Sequence, residues 1–212
     1  MTGEFADRAS AGRLLAMEVH RSGEDLSRGV IVGLARGGVP VAAEVAAALA
    51  LPLEVTVVRK LGFPFSPEVA MGAIGEDDAR VLDGDLVRQM GVTAAQVAEI
   101  EDRERAVLAA RLQRYRAGRP RLDLTGRTVV IVDDGIATGA TAQAACLSVR
   151  RRGASRVIVA TPVCGRDAED GVPAADRIVT LLRPSAYRAV GEHYVRFDQV
   201  PDDEVVRLLT GS

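Results

Sequence analysis

Two adjacent carboxylates, Asp133 and Asp134, stand between a β-branched run, Val129-Val-Ile-Val132, and a stretch of small and hydroxyl residues, Gly135-Ile-Ala-Thr-Gly-Ala-Thr141. A buried strand ending on this pair would deliver both carboxylates to its carboxyl end. Ala137, Gly139 and Ala140 let the backbone approach a ligand closely, and Thr138 and Thr141 add hydroxyl donors. A helix starting here offers free N–H groups that suit a phosphate dianion. A phosphate cradle alone has no use for two carboxylates. They suit the hydroxyls of a sugar that carries the phosphate, or a magnesium ion that arrives with it. Acidic residues and glycine are common at strand-to-helix junctions, so the argument rests on the whole thirteen-residue pattern.

Two other groups fall at the same edge. Ala35-Arg36-Gly37-Gly38 follows the apolar run Gly29–Leu34, and Arg59-Lys60 follows Leu53–Val58. Lys60 is the only lysine in an arginine-rich chain, and lysine supplies a compact point charge on a flexible stem that arginine does not reproduce. His20 and His193 lie far apart with no ligand-spaced neighbours, which argues against a protein-built zinc site. Tyr187, Tyr194 and Phe197 gather much of a small aromatic inventory near the C-terminus, where packing is the simplest use for them.

The elements that must position these residues follow from periodicity. Residues 5–21 have helical spacing; 29–34 and 53–58 read as buried strands, with a helix over 39–50 between them. The glycines and prolines of 61–78 predict a loop and a short hairpin. Residues 84–118 read as mostly helical, with a charged amphipathic helix over 94–116. Strands over 128–132, 156–160 and 177–182, a helix over 138–151 and a last helix over 202–209 complete the pattern. Apolar strands alternating with helices predict an α/β fold, a doubly wound and mostly parallel sheet of about five strands with helices on both faces. The segments that fit this core poorly, the N-terminus and 183–212, predict a small hood over the carboxyl ends, and 61–82 a flexible cover. The expected organisation is one domain over 1–212 with its core at 29–182.

Composition bounds the function. With 48% hydrophobic residues and a net charge of −2, the chain reads as a globular domain with no global electrostatic case for nucleic acid or membrane. The most apolar window, 41–58, contains Glu44, Pro52 and Glu54 and is not a membrane span. Two cysteines, Cys146 and Cys164, without metal spacing or a recognisable leader, predict a reducing, cytoplasmic setting.

Val129-Val-Ile-Val-Asp-Asp-Gly-Ile-Ala-Thr-Gly-Ala-Thr141 resembles the signature of the type I phosphoribosyltransferases, which bind phosphoribosyl pyrophosphate (PRPP). One departure is Gly135, where many members carry a bulkier aliphatic residue; a looser turn is expected there. The resemblance, over about 29–182, implies that Asp133 and Asp134 hold the ribose hydroxyls and that Ala137, Thr138, Gly139, Ala140 and Thr141 wrap the 5′-phosphate. It implies that Ala35, Arg36, Gly37, Gly38, Arg59 and Lys60 grip the pyrophosphate, with Asp133, Asp134 and Lys60 as the catalytic set. Mg²⁺ would come mainly with the substrate and lie near Asp133 and Asp134. The implied reaction displaces pyrophosphate by a nitrogen nucleophile, a purine or pyrimidine base or another amine, in a homodimer. The acceptor and a general base are not legible. A regulatory PRPP sensor that binds nucleic acid is the alternative; the near-neutral charge argues against it, although Arg103–Arg121 and Arg150–Arg152 offer local basic patches.

Overall fold

The computed structural model describes residues 5–116, 118–168 and 170–211. Five strands form one parallel sheet in the order β2-β1-β6-β7-β8, where β1 is Val30–Ala35, β2 Leu53–Val57, β6 Thr128–Val132, β7 Arg156–Val163 and β8 Arg177–Leu182. Successive side chains on these strands point to opposite faces, and both faces are covered. Ile31, Val130 and Ile158 pack against α1 (Arg8–Arg21) and α2 (Gly38–Leu49). Val30, Ile131 and Val159 pack against α5 (Ala140–Arg151) on the other side. Two apolar faces per strand explain why these segments read as continuous apolar runs.

In the middle of the chain the expected short hairpin is present, and a third strand extends it where a loop was expected. Residues 59–82 form a second, antiparallel sheet of β3 (Arg59–Phe63), β4 (Ser66–Ile74) and β5 (Arg80–Leu82). It packs Leu61, Phe63, Met71 and Ile74 against α3 (Gly84–Gln89) and α4 (Ala94–Tyr115). The glycines that suggested breaks are places where strands touch. A Cβ on Gly62 would run into the Pro67 carbonyl, and one on Gly72 into the Val81 carbonyl. Register shifts at Leu61–Phe63 mark the irregular pairing that goes with this approach. Arg59 and Lys60 accordingly open β3 instead of closing β2.

Part of the hood is visible over β8. Phe5 bridges to Tyr194, and Phe5, Tyr194 and Phe197 pack on Leu181 and Val190. Residues 1–4, expected to contribute to this hood, and Ser212 lie outside the described residues. The chain closes with α6 (Asp202–Thr210), which packs Val205 and Leu209 against Val39, Val55 and Tyr115.

Candidate functional site

β6 carries four buried residues, Val129–Val132, and releases the chain at Asp133 on the carboxyl edge of the sheet. The following turn enters α5 at Gly139, whose φ of 85° lies in the left-handed region that glycine occupies without penalty. A Cβ there would stand 2.8 Å from the Ala168 carbonyl. Gly139 caps α5 without a side-chain hydrogen bond, and Gly37 does the same for α2. Two helix N-termini with open amides thus face one edge, where their dipoles favour an anion.

A cleft of about 500 Å³ opens between these parts. Its floor is Asp133 to Thr141, and Ala35, Lys60, Glu68 and Val190 are among its walls. Lys60 is exposed and has no hydrogen-bond or ion-pair partner among the described residues. Burial, and then the neighbouring Asp134, push the Asp133 carboxyl well above the usual range, with Lys60 opposing. Asp134 is also raised by burial, and Arg8 opposes the shift. Burial therefore outweighs the cations beside the pair, Lys60 for Asp133 and Arg8 for Asp134. Among the described residues no cluster of three or more His, Cys, Asp or Glu could hold a metal ion. Asp133 and Asp134 are residues of the cleft that could contact a cation brought in with a ligand.

The glycines after β1 fit against the acidic pair. A Cβ on Gly37 would strike the Asp134 carboxylate, and one on Gly38 the Val132 carbonyl. Only glycine allows the two loops to approach this closely. The same loop turns the Arg36 side chain away from Lys60: it lies 3.9 Å from Asp202 and lines, with Arg8 and Phe197, a neighbouring cleft that shares Asp134 and Val190 with the first. Arg59 is held by Glu104 at 2.7 Å, whereas Lys60 lines the cleft.

A family model for the phosphoribosyl transferase domain matches residues 3–196. The chain belongs to that family. Two Mycobacterium tuberculosis proteins named by inference as phosphoribosyl transferases are each 50% identical over 207 residues, 97% of this chain and 46% of theirs. The chain thus spans less than half the length of these relatives. A crystal structure of a Thermus thermophilus protein shares 41% identity and superposes with a TM-score of 0.81 over 100% of this chain and 99% of that one. A Neisseria gonorrhoeae protein crystallised with bound ppGpp shares the fold at 15% identity and a TM-score of 0.55, with 100% of this chain and 98% of that one covered.

In this phosphoribosyl transferase domain Gly135 does not loosen the turn, contrary to expectation. A Cβ on Gly135 would overlap the Val190 side chain, which descends from the hood and lines the cleft. The bulk absent from the signature is supplied by a residue 55 positions later. Asp134 has a partner that no local pattern announced. Arg8 of α1 donates to its Oδ2 at 2.8 Å, both side chains being 12% exposed, and stacks 3.8 Å from the Phe197 ring centre. The Tyr194 hydroxyl donates to the Asp134 carbonyl at 2.6 Å. The hood is therefore fastened to the acidic pair by Arg8, Tyr194 and Val190. Tyr187 and His193 stack on one another, and the Tyr187 hydroxyl and His193 Nε2 are buried without partners among the described residues. Both cysteines are buried, and burial pushes the Cys146 thiol up to about 12. Among the described residues no helix is long and apolar enough to cross a membrane.

Proposed function

We propose that the domain transfers a 5-phosphoribosyl group from PRPP to a nitrogen nucleophile with release of pyrophosphate, assisted by Mg²⁺. The observation that carries this reading is one cleft that combines the Asp133/Asp134 pair, the Ala137–Thr141 turn at the start of α5, and Lys60. In this reading Ala137, Thr138, Gly139, Ala140 and Thr141 hold the 5′-phosphate through open amides and two hydroxyls. Asp133, and the Asp134 oxygen that Arg8 leaves free, hold the ribose 2′ and 3′ hydroxyls and favour positive charge developing on the ring. The Ala35–Gly38 amides, with Lys60 and Arg59, take the pyrophosphate; Arg36 contributes its backbone, since its side chain faces Asp202. Bound Mg²⁺ would neutralise part of the pyrophosphate charge. The β3–β4 tip, which brings Glu68 and Val69 to the cleft, narrows access for water.

The test is direct. The chain is incubated with Mg²⁺, PRPP and a panel of purines, pyrimidines and small amines, and pyrophosphate release is followed. One acceptor should support turnover, and the double change D133A/D134A should abolish both turnover and Mg-PRPP-dependent thermal stabilisation. Stabilisation unchanged by that double change removes the assigned site. No turnover with any acceptor, together with tight nucleic-acid binding, assigns the fold to regulation. Two buried cysteines outside any disulfide support a reducing cytoplasm, and a homodimer is proposed with it; a monomer in sedimentation velocity at micromolar concentration would remove the dimer.

A further inference from the structure

Arg8 is the first residue of α1, and its side chain is only 12% exposed, where a charge is costly unless it is paired. Contacts with the hood place it. Asp7 caps α1 and accepts from the Ser10 amide at 2.8 Å, and the Arg196 side chain pairs with Asp7 from the hood. Residues 5 and 6 zip onto 193–196 through main-chain hydrogen bonds. Phe5 donates to the His193 carbonyl at 3.0 Å, Val195 to the Phe5 carbonyl at 2.8 Å and Arg196 to the Ala6 carbonyl at 3.0 Å. The Arg8 guanidinium then lies 3.8 Å from the Phe197 ring centre and donates through Nη1 to the Asp198 carbonyl at 2.8 Å.

With its guanidinium fixed by the hood, Arg8 aims Nε at Asp134 Oδ2, 2.8 Å away. The rest of Asp134 is held as well. Its amide donates to Asp133 Oδ1 at 2.9 Å, and its carbonyl accepts from the Tyr194 hydroxyl at 2.6 Å. Gly37 packs on the carboxylate where a Cβ would not fit. Asp134 nevertheless lines the cleft, so its carboxylate meets the ligand space in a fixed orientation. Holding the hood down does not by itself call for this ion pair. Phe5, Tyr194 and Phe197 already pack on Leu181 and Val190, and well-packed apolar side chains stabilise as much as a buried ion pair does. What arginine adds is a rigid, directional donor that fixes how a carboxylate points.

We infer that Arg8 is a positioning residue for sugar recognition: it orients the Asp134 carboxylate to accept a ribose hydroxyl, and so sets the preference for ribose over 2-deoxyribose. It acts through Asp134 and does not itself line the cleft. The inference rests on the proposed function, which gives the ribose hydroxyls to Asp133 and Asp134. It goes further by assigning the choice of sugar to a residue on α1.

Calorimetric titrations of the full chain with ribose 5-phosphate and 2-deoxyribose 5-phosphate provide the test. The wild type should bind ribose 5-phosphate more tightly, since the deoxy sugar leaves a carboxylate of the pair without its hydroxyl partner. R8Q should lower ribose 5-phosphate affinity by roughly tenfold. The deoxy sugar, held at Ala137–Thr141, should stay within about twofold, which also reports that R8Q is folded. R8Q/D134N should lose no more than the worse single change, because both remove the same interaction. A ribose preference retained in R8Q, equal losses for both sugars, or additive losses in the double variant overturns the inference and leaves the proposed site standing. A wild type that binds neither sugar, or both equally, removes the ribose role of Asp133 and Asp134 and this inference with it.

Discussion

Asp133 carries the strain of the site. Its carboxyl is raised by burial and by Asp134 beside it, so its ionised form is disfavoured in the folded chain. A carboxyl whose folded value exceeds its unfolded one lets the native state bind the proton more tightly. Stability from this group is then greatest at low pH and is lost as pH rises from the unfolded value through the folded one. D133N keeps the Oδ1 that accepts from the Asp134 amide at 2.9 Å and removes the charge. We expect D133N to raise the melting temperature at pH 7–8, by about 2–4 °C for each ~1 kcal/mol gained, while Mg-PRPP stabilisation disappears. Equal melting temperatures at pH 7–8 would show that the ionised carboxylate costs nothing. Gly135 gives a second residue-scale prediction. G135A should destabilise by about 1–3 kcal/mol through overlap with Val190, and V190A should restore most of that loss in a double-mutant cycle. Additive losses, measured by urea denaturation, would mean that Val190 does not fill the space above Gly135.

At the scale of elements, the question is what holds α4 and the antiparallel sheet to the parallel one. Glu76, in the turn after β4, has a side chain 3% exposed. It accepts from Arg116 Nη1 at 2.6 Å, Arg121 Nη2 at 3.0 Å and the Val57 amide at 3.3 Å. Arg116 also donates to the Val55 carbonyl at 2.9 Å and lies 3.5 Å from Glu54. The end of α4 is thereby tied to β2 and to the β4–β5 turn. Removing one partner of a buried network strands the other charges, so E76A should lower unfolding free energy by about 3–5 kcal/mol. A change below ~1 kcal/mol in chemical denaturation would show that water replaces the carboxylate without penalty. This anchoring also matters for access. Residues 61–74 are a packed hairpin with Phe63 and Met71 buried and its tip around Phe65 and Val69 exposed.

At the scale of the molecule, a single lysine makes the site chemically addressable. Amine-directed labelling can strike Lys60 and the N-terminal amine only. Peptide mapping should show Lys60 modified in the free chain and protected by Mg-PRPP or pyrophosphate. Equal labelling with and without ligand would take Lys60 out of the cleft. The hood gives the molecule its second large-scale feature. It is fastened by contacts between residues more than 50 positions apart, Arg8 with Asp134, Tyr194 with Asp134 and Val190 with Gly135. Under the proposed function, an acceptor approaching Asp133 would meet a surface that includes residues from near both ends of the chain, Arg8 and Val190.

The parallel core was legible from residues 29 to 182, because a strand covered on both faces must be apolar at every position and helices between such strands must cross over. Asp133, Asp134 and the Ala137–Thr141 turn were legible for a related reason: backbone turns and carboxylate pairs are local, and local geometry is written in adjacent residues. Of the β3–β4–β5 sheet only a short hairpin was legible, since Gly62 and Gly72 look like breaks until the strands they touch are in place. Tertiary packing also decided that Arg36 turns to Asp202, that Glu104 holds Arg59, and that Val190 occupies the space left by Gly135. Each depends on which distant side chain reaches a position first, and spacing along the chain does not encode that distance.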